Sequence, residues 1–451
     1  MKNFSLLYEL CKAIVWPSVR VFYNKIQIKN FKNFPASGPV FICSNHVNAF
    51  MDPVALQLHS HRQIFSLARG DAFNKPFSRW LLTQWKLIPI YRLSEGAEHL
   101  KKNEYTFAAS QSVLSKGNPL VIYPEAICVQ ERRIRKLRKG AARIAFGVEE
   151  KAGFKAGLVI LPVGLNYSEP KKFRSTLFIN FGEPLAVADY CALYKKDKAR
   201  ATNELTSAIE KAMKGLVINI EHRENDSLVE DLYTFYKPEL QKELKLDPEN
   251  LEQDFELSRK LADAVNQLNN SAPRLLETLK LNFHDFKNKL NELDLSGQLL
   301  SKAEIQTLSP VRIAVDWILI LAGIPLFLTG LVMNYLPYKL GKSVADKLAK
   351  EVEFHASINM TVGWMSWLVY FFLQLLIVAL AFHKGLLLVV YAMAVPLSGF
   401  YALGFYRFLQ EATGRRRLVR LKFRKKEEFE NVIKQRANLF KLLNDSLIFP
   451  K

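Results

Sequence analysis

Three charge-free runs constrain this chain more than any other feature: Trp317–Tyr338 (22 residues), Ala356–Phe382 (27 residues) and Gly385–Tyr406 (22 residues). A bilayer core takes about 20 consecutive apolar residues per helical span, and each run meets that length. The first is interrupted by GIP at 323–325; proline inside a helix removes a backbone donor and clashes with the preceding turn, so a re-entrant or interfacial hairpin is expected over 313–336. Lys339, Lys342, Lys347 and Lys350 flank the last two runs on one side, and eight Lys or Arg fall within 415–426 on the other. Only His383 and Lys384 lie between them. Basic loops stay cytosolic, so residues 361–382 and 386–406 are expected to form one transmembrane hairpin with 339–355 and the basic tail in the cytosol.

The rest of the chain divides in two. From 36 to 185, short apolar runs alternate with helix-like stretches: VFICS (40–44), QIFSLA (63–68), KLIPIY (86–91), PLVIYP (119–124), LVILPVGL (158–165) and STLFINF (175–181). This alternation predicts an α/β domain with a mixed, largely parallel sheet. A basic helix is expected over 132–147, with Ile134, Leu137, Ala141 and Ile144 on its buried face. From 200 to 305 strand signals vanish. Leu257, Leu261, Val265 and Leu268, then Leu276, Leu279, Phe283, Phe286, Leu290 and Leu293, recur at helical spacing on either side of NNSAP (269–273). They predict two antiparallel amphipathic helices. The expected organisation is an interfacial or packing helix over 1–30, an α/β domain over 31–200, a charged helical insert over 201–310, a membrane region over 311–410 and a basic tail over 411–451.

The formal net charge of +20 calls for an anionic partner. Nucleic acid is disfavoured, because no aromatic stacking pattern accompanies the basic residues. Cys11, Cys43, Cys128 and Cys191 form no CxxC pair, which argues against a disulfide framework or a zinc knuckle. His59 and His61 have no ligand partner at suitable spacing, so no metal is expected.

In parallel sheets, ligands gather beyond the carboxyl ends of strands. SNHVNAFMDP (44–53) occupies such a position, and so does YPEAI (123–127). His46 and Asp52 are six positions apart, about 240° around a helix, so they meet only across a turn. The expected local picture is a strand over 40–43, a turn from Ser44 to Met51, and a helix with Asp52 as N-cap and Pro53 as its first residue. An ordinary capping aspartate beside a loop histidine is the bland alternative. The chemical alternative is a general base oriented by a carboxylate. Arg92, at the end of KLIPIYR, reads either as a surface arginine or as a phosphate clamp.

Taken together and in order, SNHVNAFMDP, IPIYR, YPE with its basic stretch, and ILPVGLNY (160–167) resemble the four motif blocks of the glycerolipid acyltransferase family, the PlsC-like enzymes. The resemblance covers about residues 35–185. It implies His46 as the base and Asp52 as its partner, with Arg92, Pro124, Glu125 and Arg132 contacting substrate. It implies transfer of an acyl group from a fatty acyl thioester, carried by coenzyme A or acyl carrier protein, to glycerol-3-phosphate or 1-acyl-glycerol-3-phosphate. No cofactor is expected, and the site would face the cytosol at a membrane. Another lysolipid acceptor, such as a lyso-aminolipid, and a non-catalytic lipid-binding protein are the alternatives. This sequence departs from the family in three places: five residues rather than four separate His46 from Asp52, Lys86 stands where a glycine usually precedes Ile-Pro, and Ala126 replaces the glycine after Glu125. A lost glycine restricts backbone with φ > 0.

Overall fold

The computed structural model describes residues 5–90, 99–295, 300, 305 and 308–446. They group into two compact units, one running to Asn219 and including Ala345–Thr361, the other comprising Ile220–Val344 and the chain from Val362 onward.

The first unit is built on a mixed sheet of eight strands: β1 (Tyr23–Lys29), β2 (Val40–Ser44), β3 (Phe65–Arg69), β4 (Leu87–Ile90), β5 (Pro119–Ile122), β6 (Val159–Tyr167), β7 (Ser175–Phe181) and β8 (Leu185–Ala186). Its order is β1-β7-β6-β2-β5-β3-β4, with β8 pairing β6. All pairs are parallel except β6–β7 and β6–β8. Strand β2 lies between β5 and β6, with Val40 opposite both Pro119 and Val159. All five of its residues are buried, as expected of a parallel strand covered on both faces.

One face of the sheet is covered by α1 (Leu6–Phe22) and α2 (Met51–Leu58), through a core that includes Val19, Phe22, Met51, Leu56, Leu161 and Ile179. The other face carries α4 (His99–Ser115), α5 (Gly140–Lys151) and α7 (Lys198–Lys214), with Leu114, Phe146, Leu205 and Ile209 at its core. Helices α3 (Pro76–Gln84) and α6 (Ala188–Lys196) complete the unit.

Two expectations need correction here. The N-terminal helix stops at Phe22 and residues 23–29 are strand β1, paired with β7 in parallel. The basic stretch 132–139 is not helical; α5 starts only at Gly140. The reason lies in its donors. The N–H groups of Ile134, Arg135 and Arg138 donate to Asn219 Oδ1 (2.9 Å), Glu125 Oε2 (3.0 Å) and the Pro124 carbonyl (2.8 Å). Donors spent on distant acceptors cannot build a helical ladder. Ile134, Leu137, Ala141 and Ile144 are nevertheless all buried, so an irregular segment followed by a helix satisfies the same apolar spacing.

In the second unit, α8 (Asp226–Glu243), α9 (Leu251–Ser271), α10 (Pro273–Glu292) and α14 (Lys426–Ser446) pack together. The expected apolar seams of α9 and α10 are buried except at Leu293, which is half-buried just past the end of α10, and Asn250 caps α9 by accepting from Glu252 and Gln253. Arg436 Nη2 pairs with Glu239 at 2.7 Å inside this cluster. Helices α11 (Pro310–Leu348), α12 (His355–Phe382) and α13 (Gly385–Arg424) are each long and apolar enough to cross a membrane.

Helix α11 is continuous over 39 residues, which corrects the expected hairpin at 313–336. Its glycines serve packing rather than a break. A Cβ on Gly323 would lie 2.2 Å from the Phe405 ring, and one on Gly330 would lie 2.1 Å from the Ser398 carbonyl. Close backbone approach at small residues is how apolar helices associate without a hydrophobic driving force. Pro325 costs α11 one ladder bond without ending it, since an apolar environment has no water to compete for the remaining ones.

Candidate active site

The site forms where β2 ends. Strand β6 runs on past it, and Asn45 stands in for the missing rung of the ladder. Its Nδ2 donates to the Leu165 carbonyl (2.9 Å), and its Oδ1 accepts from the Leu165 N–H (2.8 Å). The chain can therefore leave the sheet at Asn45 without leaving backbone groups of β6 unpaired.

His46 follows. Its Nδ1 lies 2.8 Å from Asp52 Oδ2, with the imidazole 20% exposed and the carboxylate fully buried. Oδ2 also accepts the N–H groups of Val47 and Asn48, each at 2.9 Å, and Oδ1 accepts the Tyr167 hydroxyl at 2.7 Å. Four donors thus converge on one buried carboxylate. Asp52 sits in the first turn of α2, whose N-cap is Phe50, and it holds the preceding loop rather than capping its own helix. That corrects the expected cap. Between His46 and Asp52, Ala49 has a φ of 35°, which turns the loop back on itself.

The imidazole stacks on Tyr123, with ring centroids 4.0 Å apart and planes inclined by 13°. Its Nε2 has no hydrogen-bond partner among the described residues, which leaves that nitrogen available to a ligand. Burial, followed by the charge of Asp52, pushes the phenols of Tyr123 and Tyr167 well above their usual range. Tyr167 therefore remains a donor to Asp52 at any ordinary pH.

Glu125 is 8% exposed. Its Oε1 accepts the His46 N–H at 3.4 Å and its Oε2 the Arg135 N–H at 3.0 Å. Burial raises its carboxyl above the usual range, against the lowering effect of these donors. Pro124 contributes its carbonyl to Arg138, and Arg132 Nη2 donates to the Ser168 carbonyl at 3.2 Å. His46, Asp52 and Glu125 are thus brought together, while Pro124 and Arg132 bond to backbone elsewhere. Arg92 lies outside the described residues.

Lys86 and Ala126, the two positions where the family usually has glycine, both keep left-handed backbone, with φ of 61° and 60°. A side chain in left-handed backbone costs about 1–2 kcal/mol at each position.

Sequence reasoning passed over Tyr123, Tyr167 and Cys128. A tyrosine at the end of an apolar strand needs a partner for its hydroxyl when buried, a signal that was available for Tyr167. Cys128 Sγ accepts the Ala49 N–H at 3.2 Å. Burial first, then the charge of Asp52, raises its thiol far above the usual value, so it is protonated and a poor nucleophile near neutrality. His46, Asp52 and Cys128 have ligand atoms within 4.8 Å of one another. Metal binding there would compete with the N–H donors that already occupy Oδ2.

Comparison with known proteins places this geometry in context. Residues 25–166 match the model of the Acyltransferase family. An uncharacterized acyltransferase of Schizosaccharomyces pombe is 26% identical over 319 residues, covering 52% of this chain and 47% of the relative. The glycerol-3-phosphate O-acyltransferase 1 of Saccharomyces cerevisiae is 26% identical over 136 residues, covering 30% of this chain and 18% of the relative. The glycerol-3-phosphate O-acyltransferase 2 of the same yeast is 22% identical over 254 residues, covering 55% and 33%. The chain thus spans less than half the length of the curated relatives it matches. Among solved structures, the 1-acyl-sn-glycerophosphate (LPA) acyltransferase PlsC of Thermotoga maritima aligns with a TM-score of 0.35 at 14% identity, over 47% of this chain and 78% of that one. The first unit of this protein contains an acyltransferase domain.

Proposed function

We propose that the chain is a membrane-bound O-acyltransferase of glycerolipid synthesis. It moves a fatty acyl group from a thioester, carried by coenzyme A or acyl carrier protein, to the hydroxyl of glycerol-3-phosphate or 1-acyl-glycerol-3-phosphate. The observation that carries this reading is the His46–Asp52 pair, 2.8 Å apart, with the carboxylate fully buried and Nε2 unpartnered among the described residues.

The reaction follows from that arrangement. Asp52 fixes the proton on Nδ1, so Nε2 presents a lone pair. It accepts the acceptor's hydroxyl proton as the oxygen attacks the thioester carbonyl. The tetrahedral intermediate then breaks its C–S bond, and the imidazolium returns the proton to the leaving thiolate. An ester and a free thiol result, and the enzyme ends unchanged. Asp52 stabilises the transient imidazolium. Direct transfer is the simplest course, because Cys43 is fully buried within β2 and burial raises the Cys128 thiol, so neither offers a ready nucleophile beside the base. Arg92 meets the acceptor phosphate, and the site faces the cytosol, in keeping with the basic flanks of the apolar runs. No cofactor is required.

The test uses purified, detergent-solubilised full-length protein and His46→Ala, with both thioester donors offered against glycerol-3-phosphate, lysophosphatidate and a lyso-aminolipid. Thiol release and ester formation by wild type, reduced at least ~10²-fold in His46→Ala, are expected of a general base. A fully active His46→Ala refutes the mechanism. Activity confined to the lyso-aminolipid would replace the acceptor named here.

A further inference from the structure

The segment joining α11 to α12 belongs to the same compact unit as the catalytic sheet. It reaches the loop behind His46. Glu353, only 7% exposed, accepts the Gln130 N–H through Oε1 at 3.2 Å. Gln130 Nε2 in turn donates to the Val352 carbonyl at 3.3 Å. Beside them the Phe354 ring meets Phe50 edge-on at 5.7 Å. Ala356 is fully buried in the apolar cluster that also holds Val47 and Met51.

Residues 127–130 have no regular secondary structure, so their position depends on bonds of this kind. The same short strip holds the catalytic loop from its other edge. The Val129 N–H donates to the His46 carbonyl at 3.1 Å, and Cys128 Sγ accepts from Ala49. The His46 N–H meanwhile donates to Glu125. Both peptide groups of the base are therefore fixed, one by Glu125 and the other by a strip that Glu353 secures. Glu353 takes part in no salt bridge among the described residues. Its buried carboxylate is committed to a backbone amide, a hydrogen bond that offsets part of the cost of burying it.

We propose that Glu353 is a positioning residue for His46, acting through Gln130 and Val129, so that the joint between two apolar helices completes the active site. This inference rests on the acyltransferase reading for its kinetic consequence, but not for its structural one.

The experiment compares wild type, Glu353→Ala, Glu353→Gln and, as a surface control, Glu351→Ala, all full-length in detergent. Acyl-transfer kinetics (kcat and KM separately) and the folded fraction are measured alongside amide hydrogen exchange. Because small misplacements of a catalytic group are expensive, Glu353→Ala should lower kcat by roughly 10- to 100-fold. KM should stay within about threefold. The loss of kcat should exceed any loss of folded protein, because it is one of placement. Glu353→Gln keeps an acceptor for Gln130 and should recover most of kcat. Exchange over 46–50 and 127–130 should accelerate about tenfold or more in Glu353→Ala alone.

Unchanged exchange in Glu353→Ala overturns the proposal. So does a Glu353→Gln as impaired as the alanine variant, or a loss of kcat that only tracks the folded fraction. Should His46→Ala in the same assay keep full activity, the base assignment fails instead, and the exchange data still decide whether Glu353 holds the loop.

Discussion

Replacing Asp52 by asparagine and by alanine separates its two roles. The carboxylate receives four hydrogen bonds and is itself fully buried. In Asp52→Asn the amide oxygen can face Val47, Asn48 and His46, while its NH2 group faces the Tyr167 oxygen, which can accept as well as donate. The hydrogen-bond geometry survives, and the charge does not. With about 4 Å between charge centres and an effective dielectric near 20, the lost attraction to an imidazolium is about 4 kcal/mol. At about 1.4 kcal/mol per factor of ten, kcat should fall roughly 10³-fold while the protein stays folded. Asp52→Ala instead strands four donors, at about 1–3 kcal/mol each. That sum rivals the whole net stability of about 5–15 kcal/mol expected for a folded domain, so this variant should fail to fold. Thiol release from the acyl donor reports kcat, and thermal unfolding in detergent reports the folded fraction. An Asp52→Asn enzyme within tenfold of wild type would falsify the electrostatic role, and a stably folded Asp52→Ala would refute the structural one.

Two further outcomes are expected. The Tyr123 hydroxyl is buried without a hydrogen-bond partner among the described residues, so Tyr123→Phe should keep its rate within about threefold. Tyr123→Ala removes the ring under His46 and leaves a cavity costing about 3–5 kcal/mol, visible as a lowered unfolding temperature. Because burial raises the Cys128 thiol, its thiolate is scarce at neutral pH and becomes less so as pH rises. Maleimide labelling of Cys128 in the folded protein should be slow at pH 7 and accelerate with pH; fast, complete labelling at pH 7 contradicts the described environment.

Much of the sheet was legible: a parallel strand buried on both faces appears as an apolar run, as VFICS does at β2, and STLFINF coincides with the mostly buried β7. Strand β1 was hidden because Asn24, Lys25, Gln27 and Lys29 make it polar, as an edge strand can be. The segment 132–139 imitated a helix because apolar spacing records which side chains are buried, not where the N–H groups go. GIP suggested a break in α11 because glycine and proline restrict isolated helices, whereas here the glycine makes room for Phe405. At the site, the meeting of His46 and Asp52 across a turn was readable from six-residue spacing and Pro53. The direction of the carboxylate was not, because it depends on Tyr167, 115 positions away. Glu353 lies 223 positions from Gln130 and carries no local signal at all.

Lys86 and Ala126 have a wider consequence. Each holds a left-handed backbone that its own side chain disfavours, so neither loop owes its shape to its own residues. The shape is imposed by the surroundings: β3, whose Ser66 N–H donates to the Lys86 carbonyl, and the Tyr123 carbonyl, which accepts from Ala126. A glycine at either position would have made its loop permissive, able to keep this path or leave it. With a side chain present, the path is held only while the neighbouring packing is intact. Any loosening of that packing would tend to release these turns early, and with the turn at Ala126 goes the ground beside the base.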